Sequence, residues 1–199
     1  MAISNYNQLI TAIVDWAPEI SSTDPIADFI ALAEAEYFPL IKHYAGEKTT
    51  TINTNSNQVT VPADCNEFRR IRIDGANAVP VSVYGGRLKE GQTGYLRSGN
   101  TISFAPTFTA TRAIELTYYA RPPALSPTAT TNWLLTKYPQ FYLWASLAQG
   151  YAWRGNEIDE TKAKAKADET FAKMVADHNA SMNSGNSIVI DMGGFSFGD

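Results

Sequence analysis

Apolar positions recur at helical spacing near both ends of this chain and at strand spacing through its middle. Leu9, Ile10, Ile13 and Val14 predict a first helix over residues 5–14. Trp16-Ala17-Pro18 ends it, because proline disfavours helix in the residue before it. Asp24-Pro25 opens a second helix: aspartate can cap it, and proline costs nothing in a first turn, where its missing N–H has no partner to lose. Ile26, Phe29, Ile30, Ala33, Tyr37, Leu40 and Ile41 give that helix a broad apolar stripe, with Asp28, Glu34 and Glu36 mostly off it. Pro39 kinks or shortens the helix, and Tyr44-Ala45-Gly46 stops it.

From Lys48 the pattern shortens. The runs 49–54 and 58–62 are β-branched and flank a polar Asn-Ser-Asn turn, which predicts a hairpin. Residues 68–73 alternate apolar and basic after the first pair, so one face packs while Arg70 and Arg72 face out. Further strands are expected at 79–83, 95–97, 101–104 and 114–119, punctuated by Gly85-Gly86, Gly91, Gly94 and Ser98-Gly99-Asn100. Helix returns at about Pro139, where Phe141, Leu143, Trp144, Ala145, Leu147, Ala148, Tyr151 and Ala152 surround the axis on most sides. A contrasting helix starts at Asn156, with a charged outer surface and a thin inner stripe of Ala163, Ala167, Phe171, Met174 and Val175. Beyond Asn183 the chain is rich in Gly, Ser and Asn yet carries Ile188, Val189, Ile190, Met192, Phe195 and Phe197, too many large apolar groups for a purely solvated tail.

The fold class predicted is α+β: a helical bundle with an inserted small, mostly antiparallel β-domain and an extended C-terminal arm. The divisions fall at residues 1–47 for the N-terminal helices, 48–121 for the β-domain, 122–182 for the C-terminal helices and 183–199 for the arm. A chain of 199 residues, 44% hydrophobic and 12% aromatic, can fill a real core. The formal net charge of −4 argues against a protein whose main task is to grip phosphates. That charge is uneven: residues 1–47 hold one Lys against seven carboxylates, and residues 48–121 hold nine basic groups against five acidic ones. Opposite charge on two ends of one chain suits head-to-side self-association, and equally two separately solvated faces. No stretch approaches the roughly 20 apolar residues that span a bilayer, so no membrane is expected as a partner.

Catalytic constellations are sparse, and neither an enzymatic role nor a metal or other cofactor is expected. His43 and His178 read as surface or helix-end residues, with no Cys, Asp or second His at ligand spacing. Gly85-Gly86-Arg87 reads as a tight turn rather than an anion cradle. Glu34, Glu36, Asp159 and Glu160 read as solvated faces, although two carboxylates brought together from anywhere in the fold suffice for glycoside hydrolysis. A lone Cys65 at a strand end reads as a half-buried structural thiol. Trp133, Tyr138, Phe141, Tyr142 and Trp144 form the densest aromatic group; a stacking platform needs interleaved basic residues, and only Lys137 is near. Trp133, Phe141, Trp144 and Tyr151 are therefore assigned to the core or to a subunit contact.

The seam between strand and helix reads Tyr118-Tyr119-Ala120-Arg121-Pro122-Pro123-Ala124-Leu125-Ser126, followed by Asn132-Trp133-Leu134-Leu135 and Tyr138-Pro139-Gln140-Phe141-Tyr142-Leu143. It resembles the head-to-tail adaptor (connector) proteins of tailed bacteriophages, nearest to those of short-tailed phages, and the likeness extends in layout to nearly the whole chain. The resemblance implies a structural virion protein made in the host cytoplasm and placed at the neck. There about twelve copies would form a homo-oligomeric ring that joins the portal to the tail or nozzle proteins. The ring would extend the channel through which genomic DNA passes at ejection, without specific binding. It also implies a portal-docking arm, which here would use Ile188, Val189, Ile190, Met192, Phe195 and Phe197. A second reading, from another class, is a carbohydrate-binding or cell-wall-cleaving virion component that uses the β-domain. A third is a host-side binding module, monomeric under every condition.

Overall fold

The computed structural model describes residues 3–82 and 88–183; the turn at Gly85-Gly86-Arg87 and the six apolar residues of the arm lie outside the described residues. Helices α1 (Tyr6–Trp16) and α2 (Ile26–Tyr37) precede the β-region, and α3 (Trp133–Lys137), α4 (Pro139–Arg154) and α5 (Glu157–Asn183) follow it, so the fold is α+β.

Asn5 caps α1, its side-chain oxygen accepting the Gln8 N–H at 3.0 Å. Asp24 does not cap α2 as its spacing suggests. Its carboxylate closes the preceding turn on the Ser21 N–H at 2.7 Å and pairs with Arg154, which holds its pKa below the ordinary value, the Ser21 bond being the main cause. The open amides of Asp28 and Phe29 bond instead to the Pro25 carbonyl. Pro39 falls in the single 3-10 turn, Phe38–Leu40, that ends α2. The short α3 was not expected; Asn132 caps it by accepting the Leu135 N–H at 2.8 Å. Helix α4 packs against α1, α2 and α5, as its all-round apolar pattern demands, and buries Phe141, Tyr142, Leu143 and Leu147. It ends at Gly155 in the left-handed region (φ 72°), which lets the chain reverse into α5. On α5 only Ala163, Ala167 and Met174 are buried, and Val175, expected on the inner stripe, is exposed.

The β-region comprises β1 (Glu47–Thr54), β2 (Gln58–Thr60), β3 (Cys65–Ile73), β4 (Ala76–Asn77), β5 (Val79–Pro80), β6 (Gly94–Ser98), β7 (Thr101–Ala105) and β8 (Arg112–Ala120). They form two four-stranded sheets, ordered β1-β8-β3-β4 and β2-β7-β6-β5, antiparallel except for the β5–β6 pair. Val59, Ile102 and Phe104 of one sheet meet Ile71, Ile114, Leu116 and Tyr118 of the other in a single core.

The hairpin expected from residues 49–62 does not form. Strand β1 pairs with β8 from Glu47↔Tyr119 to Thr54↔Arg112, whereas β2 pairs with β7 in the other sheet. Asn57 makes the diversion: its carbonyl accepts the Phe104 N–H at 2.8 Å and its side chain accepts the Phe108 N–H at 2.6 Å, tying the turn to β7 and the loop after it. β-Branched composition declares a strand but not its partner. Register shifts at Cys65/Glu67 and Phe68/Arg70 mark irregularities in β3, and regular alternation begins only after them, with Ile71 and Ile73 inward.

Candidate assembly surfaces and the buried junction

A buried polar clamp holds the proline linker against the bundle. Glu34 is 6% exposed, and its Oε1 accepts both the Leu125 N–H and the Tyr142 hydroxyl at 2.9 Å. Tyr142 in turn accepts from Asn132 Nδ2 at 2.7 Å, and that amide also donates to the Pro123 carbonyl at 2.7 Å. With its oxygen capping α3, the Asn132 side chain uses its acceptor and its amide at once. The solvated-face reading of Glu34 is therefore overturned. Burial pushes its carboxyl pKa up, and the Leu125 and Tyr142 bonds pull the other way. Burial together with the Glu34 carboxylate pushes the Tyr142 hydroxyl strongly up. On the β side of the linker, Arg121 N–H donates to the Asp64 carbonyl at 2.7 Å and its guanidinium to the Ala63 carbonyl at 3.2 Å.

His43 is likewise not a surface residue: it is 1% exposed and stacked on Trp133, ring centres 5.1 Å apart. Its Nδ1 accepts the Ala45 N–H at 3.1 Å, which makes Nδ1 the unprotonated nitrogen, and Nε2 faces the Tyr138 hydroxyl at 3.1 Å and Asp177 at 3.4 Å. Burial lowers the His43 pKa most, with Lys137 and His178 adding to it and Asp177 opposing. Asp177 is held below the ordinary carboxylate value chiefly by the Tyr138 hydroxyl. His178 lies on α5 with its ring edge-on to Tyr119 of β8, centres 5.4 Å apart. The cluster joins the turn that feeds β1, the α3–α4 corner, α5 and β8. Gly46 passes through this contact, where an added Cβ would come 2.9 Å from the Ala120 carbonyl and 3.2 Å from the Trp133 ring. Among the described residues no three His, Cys, Asp or Glu side chains converge to hold a metal, and no helix is long and apolar enough to cross a membrane.

The four aromatic positions singled out in the sequence separate. Phe141 is buried at 2% exposure against Tyr37 and Phe171, whereas Trp133, Trp144 and Tyr151 are half-buried. Trp144 floors a cleft of about 820 Å³ between α1 and α5, edge-on to Trp16 with ring centres 5.3 Å apart. A second hollow of about 460 Å³ continues along α5 from Trp144 to Tyr151. Trp16 is 57% exposed; Leu32 on α2 and Leu40 in the turn that ends it are 54% and 59% exposed. The arginines of β3 are matched within the chain: Arg69 pairs with Glu47, and Arg70 and Arg72 share Glu115 at 3.6 and 3.7 Å. Cys65 is more deeply buried than expected, at 5% exposure, and burial pushes its thiol pKa up.

Sequence reasoning missed Glu34, Asn132 and His43. An asparagine directly before Trp133-Leu134-Leu135 is a helix-cap signal that was there to be read. Nothing local marks Glu34, whose partners lie 91 and 108 residues away. No curated protein matches the chain. The family model described as SU10 adaptor protein matches residues 4–189, spanning the bundle helices, both sheets and the clamped linker, so the chain belongs to the SU10 adaptor protein family, as its Tyr118–Ser126 seam led one to expect of a phage adaptor.

Proposed function

We propose that this chain is a structural, non-enzymatic head-to-tail adaptor of a tailed phage, whose copies close into a ring at the virion neck between portal and tail. The observation that carries the reading is the continuous adaptor match over residues 4–189, which leaves no described element outside the family pattern. The division into N-terminal helices (1–47), β-domain (48–121), C-terminal helices (122–182) and arm (183–199) gives each part a task. The bundle offers exposed apolar groups on separate elements, Trp16 on α1, Leu32 on α2, Trp153 on α4 and Ile158 on α5, which suits contact with more than one neighbour. A subunit whose contact patches lie on different faces assembles head to tail, and rotation closes such contacts into a ring.

Trp133, Trp144 and Tyr151 are proposed as residues whose remaining exposure is lost in that ring, with Phe141 supporting them from the core. Arg121-Pro122-Pro123 sets the β-domain at one angle to the bundle, supported by the Asp64 and Ala63 carbonyls on one side and the Glu34 clamp on the other. The arm, through Ile188, Val189, Ile190, Met192, Phe195 and Phe197, docks on the portal. DNA passes through the ring's channel without specific binding. The test is to mix purified protein with portal rings and image the product. Added density of one ring on the portal face is expected, and the loss of that density on deletion of residues after Asn183 assigns the arm. Failure of the full-length chain to decorate portal rings would overturn the reading.

A further inference from the structure

The groove on the open side of the bundle has a floor and two walls but no cover among the described residues. Its floor is the face of α4 that carries Gln140, Leu143 and Trp144, with Trp16 on the α1 wall. The other wall is one stripe of α5, running from Asp159 and Lys162 through Lys166 to Thr170 and Lys173. Trp144 belongs to both hollows, so they form one track that runs back along α5 from near its middle toward its start.

We propose that residues 186–197 of the same chain occupy this groove in the free subunit, and that docking on the portal takes the arm out of it. The idea rests on the reading of the arm as a portal-binding element and adds where that element is held beforehand. Reach comes first. Helix α5 ends at Asn183, ten residues or about 15 Å beyond Lys173. Ser184-Gly185-Asn186 has turn composition, and the four extended residues from Ser187 to Ile190 cover about 14 Å, which brings Ile190 back to about the level of Lys173. Pattern comes next. The arm carries two apolar groups, residues 188–190 and then Phe195 with Phe197, separated by Gly193-Gly194. The groove has two apolar hollows in series, Trp16–Trp144 and then Trp144–Tyr151. Five to seven further residues span about 17–24 Å, enough to carry Phe195 and Phe197 over the roughly 17 Å from Lys173 to Lys162.

Charge agrees. Residues 184–199 contain Asp191 and Asp199 and no basic group. On the α5 wall Lys162 pairs with Asp159, and Lys166 and Lys173 share the single carboxylate of Glu169, which leaves one positive charge on that wall for Asp191, with Asp15 on the α1 side of the groove. Covering Trp16 and Trp144 also removes the exposed indole of α1 from water, a gain in the direction of burial.

The experiment uses the full chain in a Cys65→Ser background with Ile190→Cys and Thr170→Cys. Thr170 lines the groove, and Ala172, exposed and on another face of α5, gives the control pair with Ile190→Cys. Under mild oxidation the first pair is expected to close a disulfide within one chain, with unchanged mass on a non-reducing gel and loss of both free thiols, and the control pair is not. In parallel, deletion after Asn183 is expected to red-shift tryptophan emission, and a peptide of residues 184–199 added in excess is expected to reverse it. A disulfide that links two chains would assign the groove to a neighbour's arm and overturn the proposal. Equal oxidation of the two pairs, or no disulfide together with unchanged emission, would overturn it too. Portal decoration, assayed with the same protein reduced, reports separately: a full-length protein that closes the disulfide when oxidised but never binds portal rings when reduced overturns the adaptor reading and leaves the parked arm standing.

Discussion

Tyr142 and Trp144 sit two residues apart on α4 and meet opposite fates. Tyr142 is 1% exposed, and its hydroxyl both donates to Glu34 and accepts from Asn132. Trp144 is half-buried, touches Trp16 edge-on, and floors a groove. On the first side the chain has satisfied its polar groups internally and sealed the linker to the bundle. On the second, the described residues leave aromatic surface uncovered. On the proposal that the open side is where partners bind, substitutions within one turn of α4 should separate stability from binding.

The largest expected effect is on the closed side. Phe141→Ala should cost about 3–5 kcal/mol, because a buried aromatic is lost and a cavity remains beside Tyr37. Trp144→Ala should cost less than Phe141→Ala in urea denaturation of the free subunit, because part of the indole is already exposed, and it should weaken ring assembly on the portal more. Equal losses of stability from the two substitutions would erase the distinction.

Next in size is the clamp. Asn132→Ala removes the α3 cap and leaves the Pro123 carbonyl short of a donor, which together should cost about 2–4 kcal/mol. Gln140→Ala, on the exposed groove floor, should stay within about 0.5 kcal/mol of wild type. Thermal melts of the two variants side by side check the contrast, and a harmless Asn132→Ala would show that the linker is held by packing alone.

Local chemistry made much of this legible and tertiary partnership did not. Asn5, Pro39, Gly155 and the all-round apolar α4 each act through neighbours in sequence, and their elements stand close to where the pattern puts them. Glu34 and His43 were misread for one shared reason. Each looks like an ordinary polar residue at a helix end or off an apolar stripe, and each is decided by a residue 91 to 134 positions away, such as Leu125 or Asp177. Asp24 was misread for a local one: the Ser21 N–H, three residues back, takes its carboxylate, with Arg154 beside it. The false hairpin is the failure of Glu34 and His43 repeated in the sheets: the run 49–54 is a strand in either case, but only β8, at the end of the β-region, supplies its partner. The groove was invisible because Trp16 reads only as part of the stop after the first helix and Trp144 as a core or subunit-contact residue, with nothing in the sequence to bring the two together.

A smaller effect is set by pH at the His43 cluster. Its folded pKa lies below the ordinary 6.5, so the unfolded chain binds the proton more readily. The contribution to stability is complete above the ordinary value and is lost as pH falls through the folded one. Protonation also places an N–H on Nδ1 against the Ala45 N–H that Nδ1 now accepts. The groups facing the ring are Tyr44, Lys137, Tyr138, Asp177 and His178. Asp177, with its pKa lowered, loses stability in the same direction at lower pH, whereas Glu34, with its pKa raised, gains as pH falls. His43→Gln should therefore flatten the decline in urea midpoint just below neutrality and leave the more acidic limb in place. An unchanged profile would mean that another group sets the decline.

The smallest effect carries the comparison from apolar groups to charges. The arginines of β3 belong to the closed class: Arg69 is matched by Glu47, and Glu115 serves Arg70 and Arg72. Those pairs are partly exposed and contribute little to stability, but they spend the positive potential that a phosphate would otherwise meet. With a formal net charge of −4 besides, the free protein should show no submicromolar affinity for duplex DNA at physiological salt. Glu115→Gln releases two guanidiniums at once. It should raise duplex affinity measurably at low salt, with the slope of log K against log salt steepening by at most about 2, and the gain should vanish near 0.2 M as screening takes over. Submicromolar binding by the unaltered protein would mean that its charges are open rather than closed, and a passive channel would no longer describe it.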